Sequence, residues 1–315
     1  MLKEFAVEPA AVGATARDFH QLIDLFGFHR GRAIARCPAN WVDEVARLID
    51  RSEQVSDVTR AALLAKLRRA RKSLHPERRH WPAAGRWSDI AFRVNRDRPF
   101  HAVVSTEPRD APNWIVAPDG IDLDDPLLTD SPMSRVRRRP QDLAACAAPL
   151  IRASRQIILV DAYFDPFSDR FRSSLRAMLA VVADGNRPLD RLEYHLLQEP
   201  GANRDRHLGL PHFIDGCRGA LRGVMPAGQS MTFVRWREHN GGEQFHARYV
   251  LTEKAALRFD AGLDAGRGNQ TTPVNWEPPE EHARLLSYFA LDADTFIRET
   301  PTIELFANGH VEEID

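Results

Sequence analysis

Cysteine is scarce. Cys37, Cys146 and Cys217 are the three in 315 residues, far apart and without CxxC spacing. An odd, scattered set argues against a disulfide framework or a cysteine zinc site and reads as three free thiols in a reducing compartment. Neither sign of charge is in excess: 43 Lys and Arg stand against 44 Asp and Glu, a formal net charge of −1. A globally basic nucleic-acid binder is therefore not indicated, although a local patch is compatible with that balance. Long apolar runs are missing, and none reaches the roughly 18 residues that span a bilayer. The first residues, MLKEFAVEPAAVGATARDF, contain acids and no apolar core of signal-peptide length. The expectation is a cytoplasmic protein with no membrane insertion. Also missing are a GxSxG elbow, a phosphate loop of the GxxxxGKS/T type and an HExxH zinc helix. Gly262–Gly268 lacks the strand-to-helix setting of a dinucleotide fingerprint, and His239 and His246 have no evident third ligand. No cofactor and no metal are expected.

What is present is a 43% hydrophobic chain, long enough for about two domains. Glu8 to about Phe28 reads as helical, and Gly27 and Gly31 bracket a turn. Arg32–Cys37 reads as a short strand stopped by Pro38. Asn40 suits the N-cap of a helix with Trp41, Val42, Val45, Leu48 and Ile49 on one face. Ser56 or Asp57 suits the cap of the next helix, which ends at Pro76. Strands are expected at Phe100–Ser105 and Trp114–Ala117. The basic run Arg135, Arg137, Arg138, Arg139, ending at Pro140, reads as a joint. The expected organisation is a smaller α+β domain over residues 1–140 and a second domain over 141–315.

The second half alternates more regularly. Helices are expected at Asp142–Ser154, Asp169–Ala183, Pro211–Arg222 and Glu280–Tyr288. Strands are expected at Gln156–Asp161, Leu192–Leu197, Met231–Arg237, Phe245–Leu251, Leu257–Leu263 and Thr302–Phe306. Asn240-Gly241-Gly242 is a hairpin-type turn. Alternating strands and helices argue α/β layers, and the late hairpins argue a mixed sheet.

Within Phe245–Leu251, strand alternation places His246 and Arg248 on one face and Phe245, Ala247, Tyr249 and Leu251 on the other. His and Arg together on an otherwise apolar strand are costly unless an anion satisfies them. A phosphate suits that role: arginine offers a planar fork of donors, and histidine can act as nucleophile or acid/base. Glu253 follows at the strand end, where a carboxylate can orient an imidazole. The plain alternative is a half-buried strand with a merely solvated outer face. His282-Ala283-Arg284 repeats the same letters, but on a helix positions two apart diverge and make no site.

His246, Arg248 and Glu253 fall at the spacing of the H-x-K-x4-D motif, with Arg for Lys and Glu for Asp. The segment Phe245–Asp264 resembles the divergent phospholipase-D-like domains with an H-x-R motif. These include the domain found C-terminal to MIT domains and bacterial relatives in mobile and defence loci. Ile158–Asp165 resembles their opening strand, and the resemblance spans about residues 142–300. It implies a mixed-sheet phospholipase-D-like C-terminal domain and a phosphodiesterase, foremost a nuclease, with catalytic His246, Arg248 and Glu253. Classical members bring two motifs together at one site. A single motif here implies a homodimer, in which one histidine attacks phosphorus and the other protonates the leaving group. The alternative is a catalytically inactive phosphate- or partner-binding adaptor in a multi-protein defence complex.

Asp161, Tyr163, Asp165 and Gln198 are candidate pocket residues, because strand ends of that kind line ligand sites in α/β sheets; Asp264 joins them as the resemblance implies, at the polar end of the small-residue segment Asp260–Asp264. The plain alternative for Asp161–Asp165 is an acidic loop and helix start. Arg235 and Arg237 add positive charge to the sheet. The helix with Arg60, Lys66, Arg68, Arg69, Arg71 and Lys72 is the nucleic-acid patch candidate outside the motif, with Trp81 and Trp87 as base-stacking candidates. Its alternatives are a solvated helix face and ordinary core packing.

Overall fold

The structure is a computed structural model that describes residues 2–53, 55–71, 74–75, 79–82, 84–117, 125–129, 133–185, 188–198, 209–246 and 248–314. The chain divides into two units, Met1–Pro132 and Met133–Asp315.

The first unit holds β1 (Lys3–Val7), α1 (Pro9–Gly13), α2 (Ala16–Ile23), β2 (Arg32–Ile34), α3 (Trp41–Arg51), α4 (Asp57–Ala70), α5 (Trp87–Asp97), β3 (Ala102–Ser105), β4 (Trp114–Val116) and α6 (Pro126–Thr129). Its four strands run parallel in the order β2-β1-β3-β4. Both faces of the sheet are covered, as parallel sheets require. Phe5, Val7 and Val104 pack with Trp41, Leu63 and Leu67 on one side. Ala6 and Val103 pack with Ala91 and Phe100 on the other. This corrects the expected α+β domain to a parallel α/β unit. The sequence reading lacked β1, whose apolar run is only Phe5-Ala6-Val7. It also lacked α5, although Trp87, Ile90, Ala91 and Val94 carry the helical period. The expected helix from Glu8 to Phe28 is two helices, because Thr15 interrupts it as an N-cap and accepts from the Asp18 backbone N–H at 3.1 Å. Ser56 caps α4, while Asn40 stands at the N-cap position of α3 without a side-chain bond.

The second unit holds β5 (Met133–Arg137), α7 (Pro140–Ala153), β6 (Gln156–Asp161), α8 (Asp169–Asp184), β7 (Arg191–Leu197), α9 (Leu210–Leu221), β8 (Ser230–Arg237), β9 (Arg248–Thr252), β10 (Ala256–Phe259), β11 (Thr271–Trp276), α10 (Pro279–Tyr288), β12 (Ile297–Phe306) and β13 (Val311–Ile314). They form one mixed sheet in the order β13-β12-β8-β7-β6-β9-β10-β11-β5. β6, β7 and β8 are parallel, and the strands outside them are antiparallel to their neighbours. The run Ile157–Val160 is apolar at every position because β6 is buried on both faces.

On one face Ile158, Val160, Trp236, Tyr249 and Leu251 pack under Leu285 of α10. A polar network crosses that core: His195 Nε2–H donates to Glu193 at 2.7 Å, and His195 Nδ1 accepts from Trp236 Nε1–H at 2.9 Å. The other face carries α8 and α9. Phe164 packs on Tyr194 with ring centres 4.2 Å apart and planes tilted by 37°, and Phe213 of α9 meets Phe233 of β8 edge-on.

The boundary falls eight residues before the expected one. The basic run is an edge strand rather than a joint: β5 pairs with β11 from Met133 to Arg137, and its exposed Arg135 and Arg137 alternate with half-buried Ser134 and Val136. The expected strand Phe245–Leu251 starts only at Arg248. Its neighbours explain this: β6 ends at Asp161, opposite Arg248, and β10 ends at Phe259, and Phe245 and His246 lie outside any strand. Among the described residues no helix is long and apolar enough to cross a membrane. The three cysteines are buried free thiols.

Candidate functional site

β6, β7 and β8 point their carboxyl ends to one edge of the second sheet, and β9 starts there. β6 is also where the strand order reverses, since β7 and β8 lie on one side of it and β9 on the other. Crevices at such reversals are where open α/β sheets take ligands. The registers align a row across this edge. Arg248 opposes Asp161, Leu196 opposes Arg235, and Leu196 continues beside Asp161 from the Val160–His195 pair. Three strand spacings separate the backbones of Arg248 and Arg235, about 14 Å.

Arg248 is half-buried. Its Nη1 donates to the Asp260 carbonyl at 3.2 Å, and its guanidinium carbon lies 5.0 Å from the Tyr163 ring centre. Its Nε is buried with no hydrogen-bond partner among the described residues. Among the described residues it forms no ion pair. Asp161 is 1% exposed; Tyr163 N–H donates to its Oδ1 and Leu263 N–H to its Oδ2, each at 3.0 Å. Burial pushes its carboxyl above the usual range; the two backbone donors and Arg248 oppose that shift, and Asp264 adds to it. Asp264 is also buried, with Arg138 Nη2 at 2.6 Å and Arg170 Nε at 3.2 Å. Gly262 lies between the two acids at φ +119°, where a Cβ would collide with Asp264 Oδ1 and come within 3.6 Å of Asp161 Oδ2.

Arg235 is 5% exposed and has no carboxylate within ion-pair distance among the described residues. Its Nη1 donates to Gln198 Oε1 at 3.0 Å and its Nη2 to the Pro301 carbonyl at 3.1 Å, while its Nε has no partner among the described residues. Arg237 does not join it, being paired with Glu299 at 2.8 Å.

The structure thus brings together Arg248, Asp161, Tyr163 and Asp264, with Gln198 placed through Arg235. His246 is exposed, two residues ahead of Arg248 and outside β9. Among the described residues its ring has no hydrogen-bond or ion-pair partner. The expected role of Glu253 is corrected. Its two carboxylate oxygens accept from the Arg155 and Gln156 backbone N–H groups at 3.0 and 3.1 Å. β9 separates that end from Arg248 by about 14 Å, beyond the reach of a glutamate side chain. Asp165 closes the turn before α8, accepting from Phe167 N–H at 2.9 Å. His282-Ala283-Arg284 lies on α10, where His282 turns to the Thr252 carbonyl and Arg284 to Glu281.

Sequence reasoning missed Arg138 and Arg170, which hold Asp264. Neither carries a local signal, and the need of a buried acid for a cation is the one clue. In the first unit, Arg60 is structural, donating to Ile49, Ser52 and Val55 carbonyls at the end of α3, and Lys66 pairs with Asp24 at 2.6 Å. Arg68, Arg69 and Arg71 are exposed; Lys72 lies outside the described residues. Trp81 and Trp87 pack on the core, with Trp87 Nε1–H donating to the Cys37 carbonyl at 2.9 Å.

No known family model, curated protein or solved structure matches this chain.

Proposed function

We propose that the 133–315 unit recognises a phosphodiester at the carboxyl edge of β6–β9, with Arg248 as the phosphate clamp. One observation carries this reading: a guanidinium stands at the switch point of the sheet with a buried, unpartnered Nε and no ion pair among the described residues. The carboxylate opposite, Asp161, makes no ion pair with it among the described residues and is instead held by the Tyr163 and Leu263 backbone N–H groups. A phosphate presenting two oxygens to the planar guanidinium fork relieves both deficits. The resemblance to phospholipase-D-like domains supports a phosphodiester in particular.

Recognition ranks above turnover, because His246 has no orienting partner among the described residues. Hydrolysis remains the second reading, supported by the place of His246 two residues ahead of the clamp. It requires a second proton donor, which a homodimer would supply as another His246.

Fluorescence anisotropy with a short single-stranded oligonucleotide tests the clamp. Arg248→Ala is expected to weaken binding by roughly tenfold or more, since a charge-assisted bond contributes about 1.5–3 kcal/mol. Unchanged affinity would remove the assignment. Release of nitrophenol from bis(p-nitrophenyl) phosphate, lost in His246→Ala, would establish the hydrolytic reading; activity that survives that change would end it.

A further inference from the structure

The clamp alone does not say which phosphodiester is taken, and the inference below rests on that reading. Ahead of α8, Asp165–Ser168 makes a tight turn, with Phe167 N–H bonded to Asp165 Oδ1 at 2.9 Å and Ser168 N–H to the Asp165 carbonyl at 3.1 Å. The turn presses Phe167 and Pro166 onto α9 at Gly216. A Cβ there would lie 2.7 Å from Phe167 Cε2 and 2.8 Å from Pro166 Cγ, so the contact depends on glycine. The Phe167 ring lies flat against His212 in the first turn of α9, centres 4.2 Å apart and planes 13° apart. Phe167 is nevertheless 40% exposed, and His212 is exposed. The pair is therefore held in place but not buried, unlike Phe164 and Phe171 on the same segment, which are 5% and 4% exposed.

Its position follows from its neighbours. Phe167 precedes Arg170 by three residues, at most about 11 Å of chain, and Arg170 Nε is 3.2 Å from Asp264. Phe213 follows His212, and its ring centre lies 5.9 Å from the Arg235 guanidinium carbon. The pair thus borders the edge that carries Arg248 and Arg235.

We propose that Phe167 and His212 form a nucleobase-stacking subsite, so that the phosphodiester is single-stranded nucleic acid. Exposed aromatic faces beside cationic side chains are how such strands are gripped without sequence preference. A phosphodiester without a base would use the clamp and place no planar π-face on the ring.

The test measures affinity of the full chain for a single-stranded DNA oligonucleotide and for the same oligonucleotide with abasic residues. The wild type is expected to prefer the base-bearing strand by roughly 5- to 100-fold. Phe167→Ala is expected to abolish that preference while abasic-strand affinity stays constant. Phe167→Trp is expected to keep the preference, and His212→Ala to reduce it. Equal binding of both strands by the wild type, or a preference that survives Phe167→Ala, overturns the stacking subsite and leaves the clamp standing. Failure of either strand to bind overturns both. A Phe167→Ala chain that fails to fold shifts the decision to His212→Ala and Phe167→Trp, where an unaltered preference in the first together with a lost preference in the second refutes the subsite.

Discussion

Gly262→Ala probes the site through its scaffold. At φ +119° an L side chain is strained, and strain of this kind costs about 1–3 kcal/mol. The added methyl also collides with Asp264 Oδ1, and Asp264 cannot simply swing aside. It is 4% exposed and tied to Arg138 at 2.6 Å and Arg170 at 3.2 Å. Breaking a buried ion pair costs about 3–5 kcal/mol, so the total is about 4–8 kcal/mol, a large part of the 5–15 kcal/mol that stabilises a typical domain. Gly268→Ala is the internal control. That glycine also has positive φ, +58°, but no atom lies within 4 Å of the site for its Cβ. It should lose only about 1–2 kcal/mol. Calorimetric unfolding of the full chain measures both. At about 2–4 °C per kcal/mol for a unit of this size, Gly262→Ala should lower the transition of the second unit by at least about 8 °C and Gly268→Ala by about 2–8 °C. Hydrogen exchange over β6 and β9 should rise in the first variant. Equal shifts in the two would refute the claim that Asp264 is locked beside Gly262.

Glu253→Ala should destabilise the second unit by only about 0.5–1.5 kcal/mol, because the bonds from the Arg155 and Gln156 N–H groups are exposed and water takes over as acceptor. Oligonucleotide affinity should stay unchanged; a selective loss of binding without loss of stability would restore Glu253 to the site. His195 contributes to the acid limb of the stability curve. Burial lowers its pKa below the ordinary 6.5, against the pull of Glu193. Burial alone would raise Glu193, but its bonds from His195 and Arg191 outweigh this and lower it. A histidine with a depressed folded pKa contributes stability that is full above the unfolded value and is lost as pH falls from about 6.5 toward the folded value. Urea midpoints of the wild type should therefore drop between pH 7 and 5, and His195→Gln should flatten that drop; parallel curves would refute the assignment.

Much of the second unit was legible locally. The runs Gln156–Asp161, Leu192–Leu197 and Met231–Arg237 are apolar or alternate cleanly, and each became a strand because those patterns are satisfied only in a sheet covered by helices. The sequence also marked His246 and Arg248 as a costly pair on an otherwise apolar segment. Only the tertiary structure decided where they go. β6 and β10 both stop beside Arg248, so His246 falls off the ladder that its spacing suggested. Glu253, seven residues on from His246, is delivered to the opposite end of β9. Arg138 and Arg170 reach Asp264 from 126 and 94 residues away in the chain. Local periodicity reports which face a residue takes. It carries no information on where a neighbouring strand ends or which distant cation arrives, because those depend on long-range pairing.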